Sequence, residues 1–188
     1  MPDASLRQRR NAVAQKKRES GLPPAVAAAL AIGGVTAALL VGRRASPGPD
    51  HPGTRRWYRR LDKPDYTPPS PVYPVAWTAI QACQAYGGYR LLTAEPTAQR
   101  NLALSLWAAN QIGIGGWSEV FFGQRAPGWG TVASAALGAS AAAYMAAARP
   151  IDPTAATFGA PLVAWVSFAT LLSEEIWRKN EPSEDSQV

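Results

Sequence analysis

The sequence predicts an all-α integral membrane bundle of five transmembrane helices with a structured first loop. Five stretches lack Asp, Glu, Lys and Arg altogether: Leu22 to Gly42, Val72 to Tyr89, Asn101 to Ser118, Ala126 to Ala148 and Ala155 to Ser173. Each is roughly 18 to 23 residues, enough to cross a hydrocarbon core about 30 Å thick as a helix. These stretches also lack the polar outer stripe of a soluble bundle helix. Ala133 to Ala148, for example, offers only Ser134, Ser140 and Tyr144 as polar breaks. In lipid every backbone polar group must be bonded within its own segment, so the spans are helical. The loop before the second span reads Trp57-Tyr58-x-x-Leu61-x-Lys63-Pro64-x-x-x-Pro68-Pro69. A plain connector needs only polar, flexible residues. Proline fixes φ and pushes its predecessor toward extended backbone, so this segment is expected to be a rigid, non-helical aromatic cover.

At 188 residues the chain has the length of one domain. Its mean hydropathy of −0.14 would suit a soluble protein, but only because the charges are gathered between the spans. Residues 1–21 are basic and show no apolar periodicity, which reads as a disordered tail. The membrane domain runs over 22–180. Its first span covers about 22–42, with Pro23 and Pro24 where a helix start tolerates them. That run exceeds the 7–15 apolar residues of a usual leader, which favours a retained span. The loop over 43–71 begins as a Pro/Gly linker, and spans at about 72–92, 101–122, 127–148 and 155–177 follow. Their short connections make consecutive helices antiparallel neighbours. Residues 181–188 form an acidic, frayed tail.

The net charge of +6 sits in clusters that flank the first span. Beside a membrane helix, basic clusters serve topology and anionic lipid, so the bilayer is the expected partner and nucleic acid is not. The basic residues divide almost evenly between the two sides, so they set no orientation. Cys83 is the only cysteine and His51 the only histidine. A disulfide within the chain is therefore impossible, and a thiolate or imidazole metal site has no ligands. No metal cofactor is expected.

Seven tryptophans stand at 57, 77, 107, 117, 129, 165 and 177. Trp57, Trp129 and Trp177 lie at span ends, where an interfacial aromatic belt accounts for them as well as function does. Trp77, Trp107 and Trp165 lie deeper. Trp117 with Phe121 and Trp165 with Phe168 form aromatic faces at helical spacing. Such faces either pack helix against helix or stack on a large, flat, apolar ligand. Gln81, Gln84, Asn110 and Gln111 place amides at membrane depth, where they bond a neighbouring helix or face a cavity. Glu119, four residues before Gly123, belongs near the interface. Gly130, Ser134, Gly138 and Ala142 make a ridge on which another helix can sit closely.

The loop motif, with Val75-Ala76-Trp77-Thr78 after it, resembles the first loop and second helix of the TspO/MBR family. Trp117-Ser118-x-x-Phe121-Phe122-Gly123 resembles the end of that family's third helix. Pro161-x-x-x-Trp165-Val166-x-Phe168-Ala169-Thr170, continuing to Trp177 and Asn180, resembles its fifth. The resemblance covers about residues 25 to 180. It implies a five-helix membrane bundle, often a homodimer, whose pocket under the first loop takes porphyrin or haem-type tetrapyrroles. Carried onto this chain, it puts Trp57, Tyr58, Leu61, Lys63 and Pro68 in the lid. Trp77, Trp117, Phe121, Trp165, Phe168 and Ala169 would line or border the pocket, and Lys63 or nearby arginines would meet ligand propionates. The resemblance implies a sensor or transporter of tetrapyrroles. The alternatives are a light-dependent porphyrin-degrading enzyme and a ligand-gated regulatory protein; no catalytic acid, base or nucleophile constellation is present. Departures also stand out. The family's Leu-Tyr after the second-helix Trp is Ile80 and Gln81, its third-helix Asn is Ile114, and Ser173 and Glu174 replace Asn-Tyr, removing the tyrosine-centred sterol motif.

Overall fold

The computed structural model describes residues 21–181. The expected tails over 1–21 and 181–188 lie outside the described residues, but for Gly21 and Glu181. The described residues are helical throughout, without strands. Five long helices carry the fold: α1 (Pro24–Arg43), α3 (Val72–Thr93), α4 (Ala98–Ser118), α5 (Pro127–Ala148) and α7 (Ala160–Asn180). Two short ones, α2 (Pro52–Arg60) and α6 (Pro153–Thr157), lie between them. A π-turn over Glu119–Gly123 extends α4. The segments Pro24–Arg43, Pro127–Ala148 and Pro153–Asn180 are long and apolar enough to cross a membrane. α3 and α4 have spanning length at 22 and 21 residues, but an arginine in each, with two amides in α3 and four in α4, dilutes their apolar character.

The helices form an irregular ring: α1 packs on α3 and α4, α4 on α5, and α5 on α7. The junction of α3 with α7 closes the ring and is its loosest. Sequence explains the tight seams. Gly130 and Ser134 of the small-residue ridge are buried, and a methyl at Gly138 would stand 3.4 Å from Val166 of α7. The first half of the ridge is thus spent inside the bundle, while Ala142 at its end is exposed.

Trp107 ties three helices together. Its indole is buried, and Nε1 donates to the Gln84 carbonyl at 2.9 Å. Gly34 of α1 and Gly88 of α3 form its seat: a Cβ would lie 2.7 Å from the ring at the first and 2.6 Å at the second.

Where α3 ends, Arg100 donates Nε to Leu91 O and Nη2 to Leu92 O, each at 2.9 Å. These bonds satisfy carbonyls that a helix C-terminus leaves orphaned. Thr97 caps the start of α4 by accepting from Arg100 N. Asp152 caps α6 through Ala155 N and pairs with Arg90 at 2.6 Å. Burial alone would raise the Asp152 carboxyl. The Arg90 hydrogen bond and the Ala155 and Thr154 amides outweigh it and hold the group below its ordinary value.

The first loop departs from the expected non-helical cover. Trp57 and Tyr58 lie on α2, which starts with Pro52 at its first turn. A proline acts on itself and its predecessor, so Pro64, Pro68 and Pro69 constrain only the chain after Leu61. At Leu61 the backbone turns extended, with φ −65° and ψ 139°.

Two outcomes test this packing. Gly88→Ala, which thrusts a methyl into Trp107, should destabilise by about 1–3 kcal/mol as overpacking does. Gly33→Ala, which meets no atom within 4 Å, should be neutral or stabilising by up to about 1 kcal/mol; thermal unfolding in detergent compares them. Because the Asp152 value is depressed on folding, its stabilisation is complete above the ordinary aspartate value and fades as pH falls through the depressed one. Asp152→Asn should therefore lower the melting temperature at neutral pH, and the gap to wild type should close in acid.

Candidate functional site

The loose junction of α3 and α7 opens into a groove of about 510 Å³. From α3 it takes Ala76, Ala79 and Ile80; from α7 it takes Pro161, Ala164, Trp165 and Phe168; Pro68 covers it from the loop. Alanines at helical spacing keep α3 low along this wall, while Trp165 and Phe168 stand up from the other. The lining carries no titratable group.

Trp165 is held edge-on by neighbours on α3. Its ring meets Tyr73 at 5.9 Å and 80°, and Trp77 at 6.2 Å and 78°. Phe168 lies 5.8 Å from Trp165 and 6.3 Å from Tyr66 of the loop. Edge-to-face pairs of this kind add about 0.5–1.5 kcal/mol each to the area they bury. They leave the Trp165 and Phe168 surfaces toward the groove as preformed aromatic walls.

A second aromatic group lies at the end of α4 and adjoins the first, since Phe168 packs against the same core of Phe121, Leu172 and Ile176. Trp117 and Phe121 stack at 4.9 Å and 24°, and Trp117 Nε1 donates to Gly130 O at 2.9 Å. Trp57 meets Phe121 edge-on at 6.2 Å, and Tyr58 meets Phe122 at 5.3 Å and 85°. The π-turn widens the chain here, letting Phe121 and Phe122 address α2 together. Gly130 must lack a side chain, since a Cβ there would run into Phe121. Leu61 packs in this same cluster with Leu172 and Ile176 of α7.

Between the two groups the loop is pinned at three places. Lys63 Nζ donates to the carbonyls of Tyr58 and Leu61, both at 2.7 Å, and sits 4.9 Å above the Tyr58 ring. It closes the frayed end of α2 as a cationic C-cap. Burial pulls its ammonium below the ordinary lysine value, with Asp62 acting the other way, while burial pushes the Tyr58 phenol up. Thr67 folds the proline run by donating Oγ1 to Pro64 O at 2.6 Å. Asn180 at the end of α7 accepts from Asp62 N at 3.0 Å and donates to Asp62 O at 2.9 Å.

The eleven residues singled out from sequence therefore divide. Pro68, Trp165 and Phe168 line the groove, and Trp77 buttresses it. Trp57, Tyr58, Leu61, Trp117 and Phe121 pack on one another, Lys63 clasps α2, and Ala169 lies one turn beyond Trp165, outside the lining. Sequence reasoning missed Ala76, Ala79, Ile80, Pro161 and Ala164, which carry no chemical signal, and Tyr66 and Tyr73, whose neighbouring prolines marked them as fixed. It also missed Asn180 as the loop's anchor. Among the described residues no group of three His, Cys, Asp or Glu could hold a metal.

If Lys63 and Asn180 hold the cover, Lys63→Met and Asn180→Ala should speed limited proteolysis between Leu61 and Pro71 about tenfold or more. Hydrogen bonds to a charged group contribute roughly 1.5–3 kcal/mol, whereas the exposed Arg59→Met should leave cleavage unchanged.

Comparison with known proteins agrees with this architecture. The TspO/MBR family profile matches residues 25–178. The translocator protein of Ovis aries is 33% identical over 129 residues, 67% of this chain and 76% of its own length. The tryptophan-rich sensory protein of Cereibacter sphaeroides is 31% identical over 124 residues, 66% of this chain and 77% of its own. The tryptophan-rich protein TspO of Chlorobaculum tepidum is 29% identical over 153 residues, 81% and 94% of the two. With the profile spanning every long helix and the loop that covers the groove, the chain belongs to the TspO/MBR family of membrane proteins.

Proposed function

We propose that this membrane protein binds a porphyrin-type tetrapyrrole in the groove between α3 and α7. The observation that carries the reading is the groove itself: apolar throughout, walled by two aromatic rings already fixed in place, and open at the loosest seam of the ring. Its volume lies within the roughly 300–1,000 Å³ of small-molecule sites. A flat macrocycle would bury both faces there, one on Trp165 and Phe168 and one on the alanine wall of α3. The mouth faces outward between two membrane helices, so an apolar ligand would enter from the bilayer. Two of the three Lys63 donors are engaged by backbone. An anionic ligand edge would therefore turn to the exposed arginines of α2, Arg55, Arg56, Arg59 and Arg60. Sensing, transport and light-driven degradation would all begin with this binding step.

Protoporphyrin IX added to the protein in nanodiscs should quench tryptophan fluorescence saturably. Trp165→Ala should weaken binding about tenfold, some 1.4 kcal/mol, and Ala164→Leu, which fills the groove, should weaken it at least as much. Quenching that never saturates, or that an unrelated membrane protein matches, rejects the proposal.

A further inference from the structure

The middle of the bundle holds four amides that hardly bond to anything. Gln81, Gln84, Asn110 and Gln111 are 2%, 1%, 0% and 6% exposed. Their only contact with each other is Gln111 Nε2 to Gln84 Oε1 at 3.5 Å, the far limit of a hydrogen bond and a spacing that invites a bridging water. Six amide atoms have no partner: both polar atoms of Gln81 and of Asn110, Nε2 of Gln84 and Oε1 of Gln111.

The four lie at one level of the bundle. α3 and α4 run antiparallel in a register fixed by Trp107 against Gly88, Gln111 beside Gln84, and Ile114 in one cluster with Ile80. Gln81 lies one turn from Gln84 along α3, and Asn110 lies one turn from Ile114 on α4, which shares a cluster with Ile80. At a rise of 1.5 Å per residue, all four fall within about 5 Å of their helix midpoints. That is the centre of the bilayer, far from bulk water.

An unsatisfied buried polar group costs about 1–3 kcal/mol, and six in one locality would be a heavy load. The orphaned atoms are three N–H donors and three oxygens, so the site wants a neutral species that both donates and accepts. Exchanging O and N within any amide preserves that balance as long as the Gln84–Gln111 contact reverses with it. No Asp, Glu, Lys, Arg or His appears among the buried residues at this level, so an ion finds no counter-charge. We infer that the four amides form an internal binding site for water at the membrane midplane, wedged between α3 and α4 beneath Trp107.

Rapid radiolytic labelling tests this directly, because bound water generates hydroxyl radicals where it sits. In wild-type protein in nanodiscs, Ile114 and Trp107 should be modified despite being 6% and 8% exposed. Asn110→Leu, close in size but without the amide, should cut the labelling of Ile114 severalfold while the helical circular dichroism stays unchanged. A crystal structure in lipidic mesophase at about 2 Å should show density within hydrogen-bond distance of at least two of the amides. Ile114 and Trp107 as unreactive as the dry seam residues Ala141 and Val166, or amides seen bonded only to one another, would overturn the inference.

Discussion

The fold depends on an indole seated on two glycines. Trp107 reaches from α4 into the gap between α1 and α3, and only the absence of side chains at Gly34 and Gly88 lets it lie there. Its hydrogen bond to the Gln84 carbonyl then fixes how far α4 slides along α3. Lipid offers apolar helices no hydrophobic reason to associate, so close packing and interhelical hydrogen bonds must supply it. One ring supplies both. With α1, α3 and α4 locked as a triple, and α5 joining α4 to α7, the ring's last junction is left to close on weaker contacts, and the groove lies there.

The first loop is fixed to this frame at two levels. Its helix, α2, sits on the aromatic group that the π-turn presents, so Trp57 and Tyr58 serve as anchors of the cover. Its extended half, from Leu61 to Pro71, is strapped to α7 by the paired bonds of Asn180 and shaped by Lys63 and the prolines. α7 thus carries both the aromatic wall of the groove and the anchor of its cover. A shift of α7 against α3 would alter the two together.

Much of this was legible in the sequence. Charge-free stretches marked the spans because a charge at the bilayer centre costs about 3 kcal/mol on insertion scales, so selection writes that constraint in composition. Trp165 and Phe168 showed as an aromatic face for the same local reason, helical spacing. Elsewhere the signal was non-local. Nothing near Trp107 shows that its partners are glycines on two other helices, and Asn180 looks like an ordinary helix end until Asp62 arrives beside it. The prolines suggested an extended lid, but their constraint stops at Leu61, and Pro52 starts a helix that turns Trp57 and Tyr58 onto Phe121 and Phe122. The aromatic residues formed one set by type and separated into two by position.

The interior amides and the apolar groove make opposite demands on the same helix. On α3, Gln81 and Gln84 face the triple with α1 and α4, while Ala76, Ala79 and Ile80 face α7. Polar groups at membrane depth hold helices together only when they are satisfied, and an unpaired amide there costs free energy. Gln81 is one of several positions, with Ile114, Ser173 and Glu174, at which this chain departs from the motifs it resembles. The departure therefore lies behind the groove wall, whose α3 face is made of Ala76, Ala79 and Ile80.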